Sequence, residues 1–225
     1  MTGPSASDIL LGAGDQFPAV AIVRRPGTRM LLVTADQDLP SRWSAATVYD
    51  DMWVDPDDDP REVTTNPVGE RETLLHYLDA YRLTLRMKCD GLTAEQLARR
   101  SVPPSTLSLL GLVRHLAEVE RGWTRRVMRG EEAPRLWGEP GRDADFEGAV
   151  GDPDVVDRAF TAWQIEMDAT DALVTATENL GTISASTAAR PIALRAVLVH
   201  LIEEYARHCG HADLLRECID GRVGQ

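Results

Sequence analysis

Lysine is almost missing from this chain: Lys88 is the only one, and 24 basic residues face 36 acidic ones, a formal net charge of −12. That deficit argues against nucleic acids and anionic membranes as partners, because both reward an excess of Lys and Arg. Long apolar runs are missing too. None approaches the ~20 residues that cross a bilayer, and the opening MTGPSASDILLGAG lacks the basic n-region of a signal peptide. Cysteine is scarce: Cys89, Cys209 and Cys218 make no regular framework, so the expected location is the reducing cytoplasm. Arg in place of Lys, with many Ala, Gly and Pro, suggests a GC-rich bacterial genome. What remains, in 225 residues and 24.8 kDa, suffices for one good core and an appendage.

The expected organisation has three parts: an N-terminal extension over 1–48, an acidic Pro-rich connector over 49–68, and a helical bundle over 69–221. In the extension, FPAVAIV and MLLVT flank RRPGTR. This reads either as a short hairpin around a Pro-Gly turn or as an irregular extension. The connector, YDDMWVDPDDDPRE, holds seven acids against one Arg. Pro56 and Pro60 block a helix there, and the spacing is not that of a calcium loop. It reads as a solvated linker with Met52 and Trp53 as anchors.

Four long helices are predicted beyond it. The first spans about 70–90, with Leu74, Leu78, Tyr81, Leu85 and Cys89 on one stripe and Gly91 ending it. Thr93-Ala-Glu-Gln96 has capping-box spacing and opens a short turn. The second long helix spans about 108–129, its apolar arc formed by Leu109, Leu112, Leu116, Val119, Trp123 and Val127. Asp152-Pro153 starts the third, which carries Val156, Phe160, Trp163 and Met167 to about Asn179. Pro191 precedes the fourth. Such amphipathic helices make an all-α four-helix bundle, and the long second loop permits a crossover.

The fourth helix, RAVLVHLIEEYARHCGHADLLRE, carries a polar line. At about 100° per residue, His200, Glu204, His208 and His211 share an arc of roughly 80°, beside Leu194, Leu201, Tyr205 and Ala212. Polar groups next to a core stripe need partners, since burying them unsatisfied costs about 1–3 kcal/mol each. Imidazoles and a carboxylate at this spacing suggest a divalent metal. His115 lies at the edge of the second helix's arc, about 40° from Val119. Alone, such a histidine is more often a core-edge residue bonded to a carbonyl than a ligand. With Glu204 and His208 at i, i+4, two helices could supply three inward donors to one ion.

GLTAEQLARRSVPPSTLSLLGLVRHLAEVERGW and LVHLIEEYARHCGHADLLRECIDG together resemble the DinB/YfiT-like superfamily, nearest its actinobacterial branch of uncharacterised DinB-like proteins. The resemblance covers roughly 53–221. It implies a four-helix bundle of up-down-down-up connectivity with a metal near the helix centres. By position it implies His115, Glu204 and His208 as metal ligands, although many relatives carry histidine where this chain has Glu204. His211 follows the family glycine and is either an alternative ligand or a group that positions one. His200 is read as hydrogen-bonding a neighbour or orienting Glu204, and Glu203 as a solvated surface charge. Cys209 points about 100° away from His208 on the helical wheel and is read as an inert half-buried thiol. Trp123 and Trp163 are core residues or walls of the pocket. Arg207 is solvated or meets an anionic substrate.

The superfamily includes mycothiol- and bacillithiol-dependent S-transferases and mycothiol-dependent maleylpyruvate isomerases. The expected function is therefore a metal-dependent enzyme that activates a low-molecular-weight thiol, mycothiol, for transfer to a small electrophile. The alternatives are a metal-dependent hydrolase and a non-catalytic metal-binding stress-response protein. The expected ion is zinc, with nickel, manganese and iron open because ligand preferences overlap. The outer helix faces leave room for a homodimer.

Overall fold

The computed structural model describes residues 39–62, 66–138, 143–188 and 190–224, all within one compact unit, Asp38–Gln225. The predicted hairpin or extension before residue 39 lies outside the described residues. Among the described residues six α-helices carry the fold: α1 (Glu70–Cys89), α2 (Ala94–Ala98), α3 (Leu109–Arg121), α4 (Ala144–Glu147), α5 (Pro153–Ala176) and α6 (Leu194–Asp220). There is no β-strand among the described residues, only the isolated bridges Trp43–Arg222 and Ile183–Ala193. The fold is all-α, a DinB-like helical bundle.

Local chemistry sets the helix starts. The Ser108 hydroxyl accepts from the Gly111 N–H and caps α3, and the Asp152 carboxylate accepts from the Asp154 N–H ahead of Pro153. Thr93 and Gln96 form a reciprocal capping box at α2, which satisfies two amides that the helix itself leaves open. The second long helix is not α-helical throughout. Gly122–Met128 continues α3 as a π-helical turn, an arrangement frequent at functional sites.

Polar contacts between helices define their directions. Arg195 meets Glu70 where α6 and α1 begin, and Arg216 donates to the Lys88 and Asp90 carbonyls where they end, so α1 and α6 are parallel. Arg121 with Glu166 and Thr124 with Thr170 advance together along α3 and α5, which are also parallel. His115 faces His208 and Trp123 faces His200, so α3 and α6 run antiparallel. The order is up, down, down, up. Two parallel neighbours cannot be joined by a tight turn, so the chain between α3 and α5 must travel the bundle's length; that crossover carries α4.

Leu109, Leu110, Leu112, Val113, Leu116 and Ala117 are all fully buried. The α3 helix is therefore enclosed on more sides than its predicted arc allowed, because α1, α4, α5 and α6 all pack on it. The core also holds charge. Glu120, fully buried, accepts from Arg82 Nε and Nη2 at 2.9 and 2.7 Å and from the Tyr205 hydroxyl at 3.0 Å. Trp163 Nε1 donates to the same hydroxyl at 2.6 Å, and the Thr170 hydroxyl donates to Glu120. Tyr205, assigned to an apolar stripe by the wheel, is thus the polar centre of the core.

The acidic stretch is only partly solvated. Asp55 accepts from the Thr47 and Val48 amides. Asp59 is buried and forked to Arg61. Trp53 is buried as well, beneath Lys88 Nζ at 4.0 Å and the Arg222 guanidinium at 3.6 Å. Trp43 N–H donates to Gly221 O, and Val223 N–H to Trp43 O, which ties residues 40–53 to the end of α6.

Candidate metal centre

Antiparallel packing of α3 on α6 brings the middle of one helix against the C-terminal half of the other. One donor atom each from His115, Glu204 and His208 lies within 4.8 Å of the others. Nε2 of His115 is 3.8 Å and Nε2 of His208 is 3.4 Å from Glu204 Oε2. The two imidazoles meet edge to face with centroids 4.9 Å apart. Three electron-pair donors held this close, with no cation among the described residues between them, suit a divalent ion. Two imidazoles and one carboxylate form a donor set that zinc accepts and that leaves a coordination position open.

Each donor is held from behind. His115 Nδ1 is 3.1 Å from Asp145 Oδ2, and the His115 ring stacks on Phe146 at 5.4 Å. Asp145 and Phe146 belong to α4, which Arg114 fastens by donating to the carbonyls of Ala144 and Asp145 at 2.8 and 2.7 Å. Trp137 Nε1 donates to Arg114 O at 2.7 Å. An Asp carboxylate at Nδ1 fixes the tautomer that carries its proton there and frees Nε2 to bind. His208 Nδ1 lies 3.2 Å from His211 Nδ1, and His200 Nε2 lies 3.5 Å from Glu204 Oε1. Burial first, and the neighbouring His115 second, push the His208 imidazolium down to about 4. It is therefore neutral, as a ligand must be, over the physiological range.

The structure groups the sequence candidates by position. His115, Glu204 and His208 converge, while His211 and His200 stand behind two of them. Glu203 and Arg207 are exposed. Cys209 is buried with Sγ directed to Tyr81 O, and burial raises its thiol to about 12, which leaves it inert. Trp163 is core. Trp123 is half-buried, packs on His200 at 4.7 Å and lines a cleft of about 320 Å³ beside His115. Sequence reasoning missed Asp145, which sits 30 residues from its partner on a helix of one turn, too short to show a periodicity. The only hint was its place within ADFE, a stretch too short to read.

A bundle with this helix order and an inward His/Glu/His cluster on α3 and α6 defines a DinB-like protein. More narrowly, the chain belongs to the mycothiol-S-transferase (MST) family, whose model matches residues 73–221, from the first turn of α1 to the residue after α6. No curated protein gives a significant match. No helix among the described residues is long and apolar enough to cross a membrane.

Proposed function

We propose that this protein is a metal-dependent thiol S-transferase, with His115, Glu204 and His208 as the ligands of a divalent ion, zinc by preference, and mycothiol as the thiol. One observation carries the reading: three donors within 4.8 Å, in a chain of the mycothiol-S-transferase family. A divalent ion there stabilises a thiol as its thiolate at neutral pH.

The chain's own residues prepare that step. Asp145 holds the proton on His115 Nδ1, so Nε2 presents its lone pair inward. Glu204 supplies the one negative donor, its other oxygen turned to His200. His211 sits against His208 Nδ1 and fixes the ring's rotation. In the transfer itself the thiol loses its proton to water and the sulfur lone pair forms a bond to carbon. The bond to the leaving group breaks with its electron pair, and the group departs into solvent as an anion, halide in the case of a haloalkane. A reducing cytoplasm, where thiols persist, suits the reaction.

The test is metal content and turnover of the purified protein with mycothiol and a haloalkyl fluorogen. Wild-type protein should bind one ion and need the thiol, and His115→Ala with His208→Ala should lose both. Full metal content in that double variant would overturn the site. Turnover without thiol would indicate hydrolysis instead, and a bound ion with neither activity a non-catalytic role.

A further inference from the structure

The cleft beside His115 is lined by the apolar Trp123, Val119 and Val127 and by the cationic Arg126 and Arg135. Its volume of about 320 Å³ is at the small end of ligand sites. His115 belongs both to this cleft and to the donor cluster, so a molecule in the cleft has one end at the metal centre.

Two arginines and two carboxylates line the cleft, and both carboxylates are already engaged. Glu118, 5% exposed, is the carboxylate under both arginines. Its Oε1 accepts from Arg126 Nη2 at 2.6 Å, and its Oε2 accepts from the Leu136 N–H at 2.8 Å. Gly122 gives the first contact room: a Cβ there would lie 2.8 Å from Arg126 Nη2, so a side chain at this position would make the guanidinium shift. Arg135 Nε remains 3.7 Å from Glu118 Oε1, beyond hydrogen-bond reach, and its guanidinium makes no hydrogen bond among the described residues. The other acid on the cleft, Asp145, is engaged with His115. One carboxylate thus serves two guanidiniums, and the second, its side chain 38% exposed, lines the cleft with donors open to a molecule bound there. A planar guanidinium with free donors matches a carboxylate in two-pronged fashion.

We infer that this cleft recognises the carboxylate of a small electrophile with an apolar body, and that Arg135 selects it. The electrophile assignment rests on the S-transferase reading above; the carboxylate recognition does not. Arg135 acts as a specificity residue, holding the acid end while the apolar body lies along Trp123 toward His115.

The experiment is calorimetric titration of the full chain, stripped of metal with a chelator, with 4-phenylbutyrate and its neutral amide. Wild-type protein should bind the acid about tenfold more tightly than the amide, the difference expected of one charge-assisted hydrogen-bonded pair. Arg135→Gln should abolish that preference and Arg135→Glu should reverse it. Both leave Arg126 and the Leu136 amide on Glu118, and a thermal melt verifies the fold. Equal binding of acid and amide, no binding of either, or a preference that survives in both variants would overturn the proposal. Because the titration needs neither metal nor thiol, an Arg135-dependent preference in a protein without transferase activity would retain the subsite and refute the reaction. With metal restored, the ratio of KM for iodoacetate to KM for iodoacetamide should rise about tenfold in Arg135→Gln.

Discussion

Asp145 Oδ2 lies 3.1 Å from His115 Nδ1, which ties the crossover to the proposed metal centre. Carboxylates behind a metal-bound histidine typically contribute 10–100-fold to affinity. Asp145→Ala should therefore weaken zinc binding by about that factor while the fold persists. Competition against a chromogenic chelator measures this, and unchanged affinity would remove Asp145 from the site.

Helix α4 sits close because residue 111 has no side chain. A Cβ at Gly111 would lie 2.7 Å from Phe146 Cδ1 and 3.1 Å from Ser108 Oγ. Gly111→Val should push Phe146 off His115, carry Asp145 with it, and lower metal affinity about as much as Asp145→Ala does, roughly 10–100-fold. Such a loss, in a variant that touches no ligand, would show that α4 is docked by shape.

His211 and Glu204 have different expected consequences. Glu204→Ala deletes a donor from the cluster, whereas His211→Ala removes only the partner of His208 Nδ1. At saturating zinc, the His211 variant should still bind one ion and the Glu204 variant should not. Metal analysis after gel filtration distinguishes them, and the reverse pattern would make His211 the ligand.

The buried Arg82–Glu120 pair makes a stability prediction independent of metal. Arg82→Met leaves Glu120 uncompensated in the core and should cost about 3–5 kcal/mol. Arg82→Met with Glu120→Leu should recover most of that, since an apolar pair of similar volume is often neutral there. Urea denaturation of the three proteins reads the difference.

Asp59 should make stability depend on acid pH. Its hydrogen bonds from Arg61, opposed in part by burial, hold its carboxyl below the usual carboxylate range. The folded state therefore favours the charged form. The contribution is complete above the unfolded value, about 3.9, and is lost as pH falls through the folded one. Asp59→Asn should melt lower than wild type at pH 7, with the gap closing below about pH 4. A constant gap would mean that the ionic form contributes nothing.

Much of the fold was legible because its signals are local. Capping at Thr93 and Asp152 involves residues two or three positions apart, and the stripes of α1 and α6 repeat every turn. The proximity of Glu204 and His208 on α6 was legible for the same reason, since residues four apart are neighbours on any helix. The π-helical turn at 122–128 was not, because a helical pattern does not distinguish i+4 from i+5 bonding over so short a run. Tyr205 was misplaced because the wheel ranks hydrophobicity around one helix. It does not indicate that Glu120 of α3 and Trp163 of α5 reach the same hydroxyl.

By itself, then, the chain determined four long helices, an acidic surface unsuited to polyanions, and a polar line on the last helix that had to be answered. Those follow from periodicity, composition and the free energy of burying unpaired groups. Only the tertiary structure decided what answered that line. Whether His115 faces His208, whether Asp145 stands behind it, and whether Arg135 overlooks the cleft all depend on α3 meeting α6 antiparallel and on where the crossover lays α4. Such contacts join residues 30 to 93 positions apart. No local pattern encodes them, since they form only when the apolar faces of separate helices are buried together.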